Sequence, residues 1–337
     1  MKQNKGRRRI LSGLTTLLVM ITLAACSSAS TSSASPASTA TPSSPTTPTT
    51  VSVSQMTLAV QQAQTIQSVP SDLKPSLTDT NDFPNPGPAY GPTKCHAPQP
   101  NSAGVPPLGF GECVYGDLTS NRLMIVYGDS HAVMWGAGLE SIATRAGWRL
   151  ETFYLSGCPA PDIDFISYQT NAPNTQCTKF HEIAPEAIKA LHPNLIVVTS
   201  ESNQQVSRGV PANSAQWQAG LVSTFKSLSG PGIRFIMIGD IPQWSGNDAA
   251  CLAQHFNSVQ TCAAPTGTAV LMNLQAEQAA AEISGAQYIS TTPFICAAKC
   301  EPIINNIRVY FNNYHLTRTY VQFLSGPLQQ AMGLPNA

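Results

Sequence analysis

Between residues 121 and 337, short apolar β-rich runs alternate with helical stretches, and no other feature of the chain constrains its fold as much. The runs are Leu123–Tyr127, Leu150–Leu155, Leu195–Thr199, Ile233–Ile238 and Tyr288–Ser290. The helical patterns cover Ala132–Ala146, Phe180–Leu191, Ala215–Leu228, about Ala269–Ile283, and a final helix from Thr317. Strands separated by helices of about ten to fifteen residues imply crossover connections and a parallel sheet covered on both faces. The expected fold class is α/β, a three-layer α/β/α sandwich with a central parallel sheet. Residues 121–337 are enough to bury a substantial core as one domain. In such sheets ligands bind at the carboxyl ends of the strands.

What precedes this domain is of a different character. Met1 to Arg9 is basic, and Ile10 to Ala25 is apolar and free of charge, a secretory signal too short for the roughly 20 residues of a bilayer-spanning helix. The signal ends in Leu23-Ala24-Ala25-Cys26, which resembles the cleavage site of bacterial lipoproteins and implies lipidation of Cys26. Residues 26–55 form a linker whose Ser/Thr/Ala/Pro composition cannot bury enough apolar surface to offset the entropy of ordering. Residues 56–120 form a lead-in, with a short helix from about Met56 to Ser71 followed by a Pro-, Asn- and Gly-rich stretch. The expected location is therefore extracytoplasmic, lipid-anchored to the outer face of the cell membrane.

Charge narrows the partners. The whole chain carries 18 basic and 18 acidic residues, but five of the basic ones lie in the signal, so the remainder has 13 minus 18, a net charge of −5. That balance argues against a nucleic-acid partner, whose phosphates call for a basic face. Eight cysteines follow Cys26, an even number in an exported chain, so disulfides are the expected state. Pairing between sequence neighbours is the simplest arrangement, Cys95–Cys113, Cys158–Cys177, Cys251–Cys262 and Cys296–Cys300, although eight cysteines admit 105 connectivities. No Cys-x-x-Cys pair or nearby Cys/His quartet suggests a metal site.

The chemistry centres on Tyr127-Gly128-Asp129-Ser130-His131, where the first apolar run meets the first helix. A serine there lies at a helix N-terminus, whose free N–H groups and dipole favour developing negative charge. Asp129 is the expected helix cap, which leaves Ser130 for other work. After the second run comes Ser156-Gly157-Cys158-Pro159, and after the third Glu201-Ser202-Asn203. Near the end stand Cys296-Ala297-Ala298-Lys299-Cys300-Glu301-Pro302, Tyr310 and Asn312-Asn313-Tyr314-His315-Leu316-Thr317.

These blocks, spread over residues 121–330, resemble the SGNH or GDSL hydrolase superfamily, in particular the SGNH domains associated with membrane acyltransferases of surface-polysaccharide modification. The resemblance implies a flavodoxin-like SGNH fold, with Ser130 as nucleophile, His315 as base, and the Ser130 and Gly157 N–H groups and the Asn203 amide as oxyanion donors. It also implies that His131 lines the substrate site. Asn312 stands where the family pattern has an aspartate. An asparagine oxygen can still orient the histidine, but it lacks the charge that stabilises an imidazolium.

The implied function is an extracytoplasmic SGNH-type serine esterase or O-acyltransferase acting on cell-envelope glycan or related acyl esters, with no cofactor. A separate membrane acyltransferase is a candidate partner. The alternative is a catalytically impaired pseudoenzyme serving as a carbohydrate-binding module. A metal-dependent hydrolase is a third, weaker reading. No Gly-x-Ser-x-Gly, Gly-x-x-x-x-Gly-Lys or His-Glu-x-x-His motif points elsewhere.

Overall fold

A computed structural model describes residues 50–83, 114–167, 169–243, 249–265 and 273–337. Cys26, Cys95 and Cys113 lie outside the described residues, and with them the expected lipidation site and one expected disulfide. The other three pairs are formed, Cys158–Cys177, Cys251–Cys262 and Cys296–Cys300.

Six strands make the central sheet: β1 (Val114–Gly116), β2 (Leu123–Gly128), β3 (Arg149–Tyr154), β4 (Leu195–Thr199), β5 (Arg234–Ile238) and β6 (Gln287–Ile289). Their order is β1-β3-β2-β4-β5-β6. Every neighbouring pair is parallel except the edge strand β1, which runs antiparallel to β3. The helices are α1 (Val53–Ala63), α2 (Ser130–Ala146), α3 (Thr175–Ala190), α4 (Ser214–Leu228), α5 (Ala249–Gln254), α6 (Leu274–Ile283), α7 (Arg318–Phe323) and α8 (Ser325–Ala331).

Alternation along the strands builds two cores. Met124 and Val126 of β2, Leu195 and Val197 of β4, and Ile236 and Ile238 of β5 pack with buried residues of α1, α2, α7 and α8. Leu123, Ile125 and Tyr127, Ile196 and Val198, and Phe235 and Met237 face the opposite way, against α3, α4 and α6. With period-2 side chains and both faces covered, the central strands β2 and β4 read as nearly continuous apolar runs.

Three details differ from the sequence expectations. Residues 56–120 are more than a lead-in: Met56, Val60 and Ala63 of α1 and Tyr115 of β1 belong to the main core. The first helix covers Val53–Ala63 instead of about Met56–Ser71, and starts from a Ser52/Gln55 capping box. The last helix is split at Leu324, because the Pro327 ring would collide with the Phe323 carbonyl of a continuous helix.

From β2 the chain moves to β3 on one side, then returns to β4 on the other. The strand order thus reverses beside the carboxyl end of β2, where a crevice opens in sheets of this type. Ser130 is the first residue of the helix leaving that point.

Candidate active site

Gly128 ends β2 with a φ of 153°, and a Cβ placed there would lie 1.9 Å from the Thr199 carbonyl oxygen of β4. Only glycine lets the two strand ends close so tightly. Asp129 follows, 1% exposed. One of its carboxylate oxygens accepts the His131 N–H at 2.8 Å, capping α2, and the other accepts the Glu201 N–H at 2.9 Å. Asp129 thereby ties the turn after β2 to the turn after β4. Burial pushes its carboxyl up to about 6, against the His131 charge and the two N–H donors. With capping done by Asp129, Ser130 is left facing a cavity of about 390 Å³.

The same cavity is lined by Ser156, Gly157, Glu201, Asn203, Tyr314 and His315, among others. Gly157 takes a φ of 73° in the turn after β3. That turn is fixed on each side: the Leu155 N–H donates to the Gly128 carbonyl at 3.1 Å, the Asn174 amide donates to the Gly157 carbonyl at 3.2 Å, and Cys158 is bonded to Cys177 of α3. Asn203 is exposed, and its side chain has no hydrogen-bond partner among the described residues.

His315 comes from outside the sheet. Tyr310–Asn312 and His315–Leu316 pair antiparallel in a tight hairpin, with Asn312 opposite His315. The Asn312 Oδ1 accepts the Tyr314 N–H at 3.1 Å and the His315 N–H at 2.8 Å, and lies 3.2 Å from His315 Nδ1. Two backbone donors on one atom identify it as the carbonyl oxygen, so Nδ1 carries the proton and Nε2 the lone pair. His315 Nε2 is buried and has no hydrogen-bond partner among the described residues. The imidazole is pushed down to about 3 by burial first, and then by the neighbouring His131 charge.

The N-terminal segment braces this hairpin. Arg308, 1% exposed, donates to the Ser76 and Asp79 carbonyls, Asp82 accepts from the Thr319 N–H and hydroxyl, and the Phe83 ring lies 5.3 Å from both the Phe311 and His315 rings.

The structure thus brings Ser130, Gly157, Asn203 and His315 to one cavity, with Asn312 behind the histidine. His131 does not line it as expected: the second residue of α2 faces inward, and the side chain is wholly buried against Asp240. Sequence reasoning missed Glu201 as a cavity residue, although it stands in the Glu201-Ser202-Asn203 block after β4. Burial pushes its carboxyl up to about 7 against the His131 charge. Asp240 was missed too, and its signal was its place just beyond the carboxyl end of β5. Among the described residues, Cys158, Cys177 and His181 converge with metal-ligand spacing, but the two sulfurs are joined to each other.

Among curated proteins, none matches the chain in sequence. The periplasmic domain of a lipopolysaccharide acetyltransferase from Salmonella ser. Paratyphi A is similar in structure, with 16% identity, a TM-score of 0.51, and coverage of 64% of this chain and 85% of that one. A GDSL-like lipase from Bacteroides thetaiotaomicron covers 63% of this chain and 88% of its own, with 13% identity and a TM-score of 0.39. At these identities the first likeness speaks to fold alone. The model of the SGNH domain (fused to AT3 domains) matches residues 94–330, and the chain belongs to that family, one of SGNH-type acyl hydrolases and transferases.

Proposed function

We propose that this protein is an exported serine esterase or O-acyltransferase that works on acyl esters of a cell-envelope glycan or a related acylated molecule. The observation that carries the reading is the convergence of Ser130 and His315, whose Nε2 has no hydrogen-bond partner among the described residues, on one cavity that Gly157 and Asn203 also line. Ser130 Oγ attacks the ester carbonyl while His315 Nε2 takes its proton. The carbonyl oxygen, now negative, meets the Ser130 and Gly157 N–H groups and the Asn203 amide. Collapse of the tetrahedral intermediate expels the alcohol, which receives the proton from His315, and leaves an acyl-Ser130. Water or a sugar hydroxyl, deprotonated by His315, then takes the acyl group and restores the serine.

Asn312 orients the base without charging it. In a serine protease, exchanging the triad aspartate for asparagine costs about 10⁴ in turnover, with the wrong histidine tautomer held. Here the Asn312 oxygen faces the ring, so the tautomer is the productive one and only the charge is missing. A glycan substrate is supported by the polar residues Glu201, Gln204 and Gln205 in the lining beside the exposed Tyr314 ring, and by the fold-level likeness to the lipopolysaccharide acetyltransferase domain. The signal and Cys26 support export and lipid anchoring, and a separate membrane acyltransferase is the proposed acyl source.

Hydrolysis of p-nitrophenyl acetate by wild type and Asn312→Asp tests the reading. Measurable turnover that rises in the variant is expected. Asn312 itself favours a second reading, a carbohydrate-binding module that keeps the groove without turnover; glycan binding with no activity in either form selects it.

A further inference from the structure

The mechanism uses one histidine, yet a second stands against it. The His131 and His315 rings are 5.2 Å apart and inclined at 64°. His131 is 0% exposed, and its Nδ1 lies 2.8 Å from Asp240 Oδ1, a charge pair instead of an aligned hydrogen bond. Asp240, 1% exposed, is surrounded by hydrogen-bond donors. Its Oδ2 accepts the Ser202 N–H and hydroxyl, each at 2.8 Å, and the Gln243 amide at 2.9 Å, while Oδ1 accepts the Ile241 N–H at 2.7 Å. Donors favour the charged form of a carboxylate, and a carboxylate beside a buried imidazole favours the imidazolium.

We propose that His131, held as a cation by Asp240, is a positioning residue that keeps His315 in its proton-accepting form, so that the site continues to work in acid. The proposal deepens the esterase reading and rests on it for its kinetic consequence, though not for its electrostatic one.

The groups facing His131 are Asp129 from the turn after β2, Glu201 from the loop after β4, Asp240 from the loop after β5, Glu277 from α6 and His315 from the hairpin. Burial alone would drive His131 down, but Asp240 first, then Asp129 and Glu201, carry it up to about 10. His315 faces Asn312, which is neutral, the Phe83 and Tyr314 rings, and the His131 cation. As pH falls, Glu201 and Asp129, which face His131, lose their charge through about 7 and about 6. The repulsion on His315 is then least compensated in the acid range, where an ordinary histidine with a value near 6.5 would already be protonated. The arrangement suits a base with no carboxylate behind it: it is weak, but protonation does not remove it from use.

The test is a histidine ¹⁵N NMR titration of the purified protein, with kcat/KM for p-nitrophenyl acetate followed over the same pH range. In wild type, His315 is expected to stay neutral through pH 5 and kcat/KM to show no acid limb near 6.5. In His131→Asn the His315 titration moves up by about one pH unit or more, and the acid limb moves with it. Asp240→Asn, which removes the charge that holds the cation, gives a shift in the same direction, and the double variant adds little further. If wild-type His315 titrates near 6.5, or if both variants leave it unmoved while lowering the melting temperature, the pair is structural and the proposal is overturned. Should His131→Asn fail to fold, the wild-type titration and Asp240→Asn decide alone. Shifts seen by NMR without activity at any pH sustain the proposal and defeat the esterase reading.

Discussion

The two halves of the site are built differently. Ser130, Gly157 and Asn203 follow the ends of β2, β3 and β4, three adjacent strands at the centre of the sheet. Their turns are held by that sheet and by local ties: the Gly128 contact with Thr199, the Asp129 link to Glu201, and the Cys158–Cys177 bond. His315 sits on a hairpin outside the sheet, and its position depends on side chains from elsewhere. Met134 Sδ accepts the Leu316 N–H, the Thr317 hydroxyl donates to the Arg308 carbonyl, and residues 74–83 pack alongside. The half holding the proposed nucleophile is fixed by topology and the half holding the proposed base by packing. Changes that leave the fold intact should therefore reach the base more easily than the nucleophile.

The largest effect breaks the nucleophile half chemically. Ser130→Ala is expected to lower kcat for p-nitrophenyl acetate by about 10⁴-fold or more with an unchanged melting temperature, as in other sites where nucleophile and base act as a unit. Asn203→Ala, which removes one proposed oxyanion donor, should cost about 10²-fold in kcat with little change in KM. The same half can be broken structurally: Gly128→Ala drives a Cβ into the Thr199 carbonyl and should destabilise by about 4 kcal/mol or abolish folding, read by denaturant titration. Phe83→Ala addresses the base half. It removes a ring 5.3 Å from His315 and should lower kcat by roughly tenfold while the melting temperature falls only a few degrees. An equal loss of stability and activity there would erase the contrast between the two halves.

The sequence carried these halves unequally. The nucleophile half was legible because each member stands within a few residues of the end of an apolar run, and runs such as those of β2 and β4 read as buried parallel strands. The fold followed from the same alternation. The hairpin bearing His315 was not legible as structure, since its arms have three and two residues, too few for any periodicity. Strand β1 and the packing of α1 were hidden by the proline- and glycine-rich composition around them. His131 and Asp240 stand far apart in sequence, and only the placement of β5 two strands from β2 brings them together. No local pattern marks such a pair; a polar residue just past the end of each buried strand is the available clue, and Asp129, Glu201 and Asp240 all satisfy it.

The central claim is that Ser130 and His315 work as nucleophile and base in one site. Labelling the protein with a fluorophosphonate and locating the adduct by peptide mass spectrometry addresses it most directly. A single adduct on Ser130, formed at a rate that falls at least a hundredfold in His315→Ala, is the expected result. No adduct on Ser130, or equal labelling rates in wild type and His315→Ala, would contradict it.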